Sequence, residues 1–169
     1  TFNSTHILLF SGCKYTLLFV LIGTVLTIIV QSSSAAMALT LTFIGEGLPF
    51  ELAAAIVLGE NIGTTITANL AAFVANYRAK RTARAHLLFN LIGVLWMLIF
   101  FYPFLQFVSG LTQLVGSESP YITAAAIPVA IALFHTTFNI INTFLLVWFV
   151  NPIARLVEKI IPEKKDPEK

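Results

Sequence analysis

Gln31-Ser32-Ser33-Ser34 is a polar tetrad between two uncharged apolar runs, residues 15–30 and residues 35–44. In hydrocarbon, an amide and three hydroxyls need hydrogen-bond partners, because unsatisfied polar groups are costly there. Residues 15–44 are too long for one spanning helix of roughly 20 residues, and each half is too short to span alone. The pattern therefore predicts two half-helices that meet at the tetrad, as a re-entrant hairpin or a broken helix. The serines would cap the second half-helix, whose free N–H groups suit an anion.

The composition places the chain among membrane proteins. Of its 169 residues, 57% are hydrophobic and only 11% are charged, whereas soluble domains carry about 25% charged residues. We therefore predict an all-α, multi-pass integral membrane protein. The net charge of +2 gives no reason to expect nucleic acid as a partner, and a single cysteine excludes an intrachain disulfide. No signal peptide is visible, and the first and last residues suggest a piece of a longer protein.

Breaks in the apolar pattern divide the chain into three parts. Residues 1–14 form a polar, amphipathic lead-in, residues 15–150 the transmembrane unit, and residues 151–169 a charged tail that leads into a missing region. About three spanning helices follow the broken segment, and they are predicted at residues 50–77, 87–108 and 122–150. Pro49 and Glu51 suit the start of the first of them, and Pro128 should bend the last near one end.

The distribution of cations predicts the orientation of the chain. Residues 78–84 form a basic loop with four cations, while the loop at residues 109–121 has none. Two predicted spans separate the basic loop from the basic tail, so both should lie on the same side. By the positive-inside rule, that side is the cytoplasm of a plasma membrane.

A second polar constellation, Glu60-Asn61-Ile62-Gly63-Thr64-Thr65, interrupts the next apolar run. Glycines on both sides would let the helix unwind and free carbonyl oxygens, which together with amide and hydroxyl oxygens suit a hard cation such as sodium. The alternative is a packing notch, with Gly59 and Gly63 as a small-residue contact face. Because the serine tetrad is near in sequence, we favour one shared binding region. Glu60 is the only carboxylate inside an apolar span, and we expect it to be linked to a cation.

The pattern His-x-x-Phe-Asn occurs twice, at residues 86–90 and 135–139. The i, i+4 spacing places each histidine and asparagine on one helix face. In membrane helices such pairs usually form interhelical hydrogen bonds, so we expect them to hold the bundle together rather than line a permeation path.

Three motifs in this order resemble the type II sodium/phosphate cotransporter family. They are Gln31-Ser-Ser-Ser34-Ala35, Gly59-x-Asn61-Ile-Gly-Thr-Thr65 and Ala85-His-Leu-Leu-Phe-Asn90. Members of that family carry two inverted repeats, and this chain, with one tetrad, looks like the C-terminal repeat of a bacterial member. The resemblance implies sodium-coupled phosphate symport by alternating access. It places the site at Gln31, Ser32, Ser33, Ser34, Asn61, Thr64 and Thr65.

The resemblance also implies the partners of the protein. These are inorganic phosphate, sodium, membrane lipid, and the N-terminal repeat or a second copy of the chain. It implies no cofactor beyond co-transported sodium, whose ligands stay open. Two other readings remain: a sodium-coupled carrier of another small solute, and a phosphate sensor that does not transport. An enzyme is disfavoured, because no Ser/His/Asp order, metal-ligand cluster or carboxylate pair stands out.

Overall fold

The computed structural model describes the backbone of residues 2–163 and the side chains of residues 15–163. This part of the chain is helical and contains no strand. In chain order the helices are α1 (Phe2–Val30), α2 (Ser33–Gly45), α3 (Phe50–Ala72), α4 (Tyr77–Ile99), α5 (Phe101–Leu114), α6 (Ile127–Leu146) and α7 (Val150–Ile160). Short 3₁₀ turns precede and follow α6.

The predicted break in the first apolar segment is confirmed, but the segment before it is not a half-helix, because α1 begins at Phe2 and has 29 residues. Helix α1 ends at Val30, and Gln31 adopts a left-handed backbone conformation with φ 55°. Such a conformation costs a non-glycine residue roughly 1–2 kcal/mol, so the surrounding structure must enforce it. Ser32 then caps α2, as its side-chain oxygen accepts a hydrogen bond from the Ala35 N–H at 3.3 Å. The interfacial character predicted for residues 1–14 depends on side chains outside the described residues, although their backbone from Phe2 onward belongs to α1.

The predicted unwinding at residues 59–65 is wrong, because α3 runs without interruption from Phe50 to Ala72. The glycines serve the alternative function, close packing against α1. A Cβ atom on Gly59 would lie 2.0 Å from the Val20 carbonyl oxygen, and one on Gly63 would lie 2.7 Å from the Thr24 carbonyl oxygen. Contact with a neighbouring helix keeps the α3 backbone helical, so its carbonyl groups are not released as ligands.

A hydrogen bond between helices reinforces this crossing. The Thr24 hydroxyl lies 2.9 Å from the Val20 carbonyl oxygen on its own helix and 3.1 Å from the Gly59 carbonyl oxygen on α3. On α1, Gly23 is the matching small residue, since a Cβ there would lie 2.1 Å from the Ile56 carbonyl oxygen. Helices α1 and α3 thus approach with their backbones almost in contact, which fixes the end of α1 relative to α3.

The later helix boundaries differ from the predicted ones. Helix α3 ends at Ala72 rather than at residue 77, α5 continues to Leu114 into the predicted loop, and α6 begins at Ile127. The span predicted at residues 87–108 is interrupted at Phe100, where α4 ends and α5 begins. The basic residues 78–84 form the first two turns of α4 rather than a loop, because Asn76 caps that helix through the Ala79 N–H at 3.0 Å. The prediction for Pro49 is confirmed, because it is the N-cap residue of α3. Pro128 lies in the first turn of α6, where a proline fits without distorting the helix, so the bend predicted there stays a prediction.

An aromatic core joins α4, α5 and α6. Phe134 packs edge-to-face against Phe104, with ring centroids 5.5 Å apart. Its ring is also nearly parallel to that of Phe138 on the same helix, with centroids 6.5 Å apart. Beside this core, the indole N–H of Trp96 donates to the Asn142 amide oxygen at 3.0 Å. Gly93 leaves room for that amide, because a Cβ there would lie 2.5 Å from its nitrogen. These contacts hold α6 against α4.

Two helical stretches, Tyr77–Ile99 and Ala124–Ile160, are long and apolar enough to cross a membrane, judged on the described residues. About three were predicted. Helix α3 has the length, but the polar residues of its second half lower its mean hydropathy. The basic start of α4 and the end of α7 lie together, since Arg81 donates to the Ile161 carbonyl oxygen at 2.9 Å. These two segments therefore lie at the same end of the bundle, as the charge pattern requires.

Candidate functional site

A cavity of about 450 Å³ lies where α2, α3, α4 and α6 meet. Its volume is within the range of about 300–1,000 Å³ that is usual for ligand sites. Both polar constellations and both His-x-x-Phe-Asn motifs contribute to its walls. The lining residues are Ser33, Ser34, Met37, Glu60, Asn61, Thr64, His86, Phe89, Asn90, His135 and Asn139.

The first turn of α2 supplies one wall. Ser33 and Ser34 line the cavity and are otherwise exposed. Their backbone N–H groups belong to the first turn, so they have no carbonyl partner within α2. Two hydroxyls and two N–H groups at the positive end of a helix form a set of donors suited to an anion. Gln31 and Ser32, also predicted for the site, do not line the cavity; they form the break and the cap that position this turn.

The facing surface of α3 supplies oxygen atoms. The Asn61 amide nitrogen donates to the Val57 carbonyl oxygen at 2.9 Å, and the Thr64 hydroxyl donates to the Glu60 carbonyl oxygen at 2.8 Å. The Thr64 hydroxyl hydrogen and one of the two Asn61 amide hydrogens are thus used within the helix, and the side-chain oxygens of both residues are available as acceptors or cation ligands. Thr65 is fully buried, bonds to the Ile62 carbonyl oxygen at 2.7 Å and lies outside the cavity.

Glu60 lies in the same wall and is 3% exposed. Its carboxylate accepts a hydrogen bond of 2.7 Å from the hydroxyl of Thr40, which is buried on α2. One carboxylate oxygen is thus held by α2, and the other is left for a ligand. The bond joins α2 to α3 and sets the distance between the cavity wall that carries Ser33 and Ser34 and the wall that carries Asn61.

The two His-x-x-Phe-Asn motifs complete the cavity, and the first of them also bonds to a neighbouring helix. His86 and Asn90 face it from α4, and His135 and Asn139 from α6. One bridge is present, as the Asn90 amide approaches the Asn61 carbonyl oxygen at 3.4 Å. We expected these motifs only to hold the bundle together, and their position at the cavity was not predicted. The i, i+4 spacing indicates that each histidine and asparagine share a helix face, but not what that face meets.

The balance of charge in the cavity is unusual for an anion site. Among its described lining residues there is one carboxylate, Glu60, and no lysine or arginine. Imidazole N–H groups, side-chain amides, hydroxyls and the start of α2 are the available donors. Such a site can hold an anion only if the Glu60 charge is neutralised by a cation or a proton.

Thr40 is a residue that the sequence reasoning missed. It lies seven positions after Ser33, on the predicted second half-helix, so two helical turns separate it from the serine wall. A buried threonine on α2 that bonds to a buried glutamate on α3 is a pairing that no spacing rule within one helix reveals. Asn142 and Trp96, which position α6, were missed for the same reason.

Comparison with known proteins gives matches over most of the chain. The model of the Na+/Pi-cotransporter family matches residues 3–117. The Bacillus subtilis uncharacterized protein YqeW is 37% identical over 145 residues, which is 85% of this chain and 43% of that protein. The Escherichia coli K12 putative inorganic phosphate export protein YjbB is 33% identical over 169 residues, covering 98% of this chain and 28% of its own.

A mammalian relative matches over a shorter stretch. The human sodium-dependent phosphate transport protein 2B is 42% identical over 81 residues, 45% of this chain and 12% of that protein. No solved structure matches the chain significantly. The chain spans less than half the length of these curated relatives.

Proposed function

The chain belongs to the Na+/Pi-cotransporter family, and on this premise we propose that it carries inorganic phosphate across a membrane, coupled to sodium, by alternating access. The resemblance seen in the sequence motifs is confirmed by the family match and by relatives named for phosphate transport. Members of this family are transporters and not enzymes, as the sequence predicted, and a transporter lies in a membrane.

One observation carries the proposal: the start of α2 and the polar face of α3 line a single cavity. We assign phosphate to the serine wall, where Ser33 and Ser34 offer hydroxyl and N–H donors at a helix N-terminus. Gln31 and Ser32 support this wall from the break, and Thr65 supports α3 from its buried side. Broken helices at the midplane provide anion sites of this kind in secondary transporters.

We assign sodium to the opposite wall. Asn61 and Thr64 offer neutral oxygens, and Glu60 offers the carboxylate oxygen that Thr40 leaves free. Sodium beside Glu60 would cancel the charge that otherwise repels phosphate, since like charges interact strongly in a poorly solvated site. Coupling then has a physical cause: phosphate binds well only after the cation does. No cofactor enters this proposal.

The imidazoles of His86 and His135 face the cavity from the remaining side. Each ring nitrogen that carries a proton can donate to a phosphate oxygen. We propose that these two residues, with the amides of Asn90 and Asn139, replace the arginine or lysine that phosphate sites usually provide.

The site is open on the side of Ser33 and Ser34, which are exposed. We propose that a second repeat, in the rest of the protein or in a second copy of the chain, closes this side with inverted topology, so that α1 and α2 form a re-entrant pair. The curated relatives are more than twice as long as this chain, which leaves room for such a repeat. Residues 78–84 and the C-terminus would face the cytoplasm of a bacterial plasma membrane.

The direction of transport has a second candidate. One relative is named as a putative phosphate export protein, so net efflux driven by another gradient competes with sodium-driven uptake. The same cavity would serve both, because alternating access exposes one site to each side in turn.

The test is radiolabelled phosphate uptake into proteoliposomes that contain the full-length protein, with and without an inward sodium gradient. We expect sodium-dependent, saturable uptake that is lost in the double variant Ser33→Ala, Ser34→Ala. Ser117→Ala is the matched control, since it removes a hydroxyl from the loop after α5. Uptake that is the same with and without the sodium gradient would overturn the proposed coupling. Binding without transport in either direction would indicate a sensor, and normal uptake by the double variant would remove phosphate from the serine wall.

Gln31 requires two variants because its backbone and its side chain can both matter. Gln31→Gly accepts the left-handed conformation without strain, whereas Gln31→Ala keeps the strain and removes the amide. If the side chain contributes to the site, both variants lose uptake. If Gln31→Gly transports normally, only the backbone shape at the break is required.

A further inference from the structure

A second cavity lies at the basic end of the bundle. It measures about 240 Å³ and shares no residue with the cavity assigned to phosphate. Its walls come from the end of α3, the first two turns of α4 and the end of α7. The main lining side chains are Phe73, Lys80, Arg84, Ile160 and Ile161.

The wall from α7 is held in place by contacts with α4. Arg81 donates to the Ile161 carbonyl oxygen at 2.9 Å, and its guanidinium lies 3.8 Å from the Glu158 carboxylate. Tyr77 donates to a carboxylate oxygen of Glu163 at 2.6 Å. Helix α7 packs its buried Val157 inward and exposes its charged residues. The cavity is thus a product of tertiary packing.

Two cations in this cavity have no carboxylate partner among the residues whose side chains the structure describes. Among residues 15–163 the one ion pair is Arg81 with Glu158, and it leaves out Lys80 and Arg84. The Lys80 ammonium lies 5.9 Å from the centre of the Phe73 ring, a cation–π contact that leaves its donors free. One turn of α4 separates Lys80 from Arg84, so both face the same side. Two cations without a carboxylate partner in the described part of the chain, beside a cavity that is open to one side, favour an anionic ligand.

The surroundings of the cavity are apolar. Phe73 is 78% exposed, Val74 is 91% exposed and Ile160 is 56% exposed. A free inorganic anion gains nothing from this surface, whereas acyl chains do. The cations also lie where α4 changes from a charged start to an uncharged span, the level at which lipid headgroups meet a spanning helix.

We propose that this cavity binds the phosphate headgroup of an anionic phospholipid, held by Lys80 and Arg84, with the acyl chains along Phe73 and Ile160. Asn69 also lines the cavity, but its amide nitrogen does not donate to the headgroup, because it already donates to the Thr65 and Ala83 carbonyl oxygens at 2.7 and 2.8 Å. The bound lipid links α3, α4 and α7 and braces the end of α7.

The experiment is native mass spectrometry of the full-length, delipidated protein titrated with phosphatidylglycerol or phosphatidylcholine. The test variant is Lys80→Gln with Arg84→Gln. The matched control, Arg155→Gln with Lys159→Gln, removes two cations from the exposed face of α7 outside the cavity. Each cation near an anionic headgroup contributes about 1 kcal/mol, so the test variant should bind phosphatidylglycerol at least about tenfold more weakly. The control should change less than about twofold, and melting temperatures should show that both variants fold.

Three results would overturn the proposal. Equal loss in both variants would mean that binding follows the overall surface charge. Equal binding of phosphatidylcholine would mean that no anionic headgroup is recognised. Displacement of the lipid by inorganic phosphate in modest excess, with phosphate binding lost in the test variant, would make this a site for the free ion.

Discussion

Replacing Gly59 with alanine tests the contact that positions the site. The added Cβ would lie 2.0 Å from the Val20 carbonyl oxygen and 2.7 Å from the Thr24 backbone nitrogen. Both are backbone atoms, so no side-chain rotation can relieve the clash. To restore ordinary contact, α1 must move away from α3 by more than about 1 Å. That movement also stretches the 3.1 Å bond from Thr24 to the Gly59 carbonyl oxygen.

The energies can be compared with a matched control. Overpacking costs about 1–3 kcal/mol, and a weakened interhelical hydrogen bond adds about 0.6 kcal/mol. Alanine has a helix propensity about 1 kcal/mol more favourable than that of glycine. This gain in stability partly offsets the loss caused by the clash. Gly110→Ala has the same propensity gain, but its Cβ meets nothing within 4 Å. The difference between the two variants therefore removes the propensity gain and leaves the clash together with the weakened hydrogen bond, about 1.6–3.6 kcal/mol in sum.

Thermal unfolding of both variants of the full-length protein in detergent is the assay, together with phosphate uptake. Gly59→Ala should melt several degrees below Gly110→Ala, and its uptake should fall because α1 carries the break at Gln31. If Gly59→Ala melts at or above the control, α1 and α3 do not cross here. If its stability is unchanged but its sodium dependence shifts, Gly59 contributes to ion binding rather than to packing.

Three further variants test the contacts around the site. Glu60→Gln keeps an acceptor for the Thr40 hydroxyl but removes the charge. The sodium dependence or the pH dependence of uptake should therefore shift more than the phosphate affinity measured at saturating sodium. If both profiles are unaltered, Glu60 has a structural role. Thr40→Val should cost about 1.5–3 kcal/mol in denaturant unfolding, because it removes a buried hydrogen bond to a carboxylate. Thr42→Val, whose hydroxyl bonds only within α2, should cost far less, and equal losses would contradict the Thr40 contact. Trp96→Phe should cost about 1–2 kcal/mol by removing its 3.0 Å bond to α6, whereas Trp148→Phe, at a position 77% exposed, should be neutral; equal melting points would refute this.

Local chemistry explains which features the sequence could predict. The helix break at Gln31, the cap at Ser32 and the start of α3 after Pro49 each depend on residues within a few positions of one another. The all-helical, membrane-compatible class follows from composition, because an uncharged apolar chain satisfies its backbone groups in lipid through helices. The family could be recognised because its motifs are short, local patterns of the same kind.

Tertiary packing determined the rest. Glycines at Gly59 and Gly63 permit either unwinding or close approach, and only the presence of α1 against them selects close approach. The sequence by itself determined the helical class of the chain and the break at Gln31, but not that residues 59–65 and 78–84 are helical. Only the tertiary structure decided that Thr40 meets Glu60 and that His86 and His135 face the serine wall. These contacts join separate helices, so their formation depends on how whole helix surfaces fit together, which no local pattern encodes.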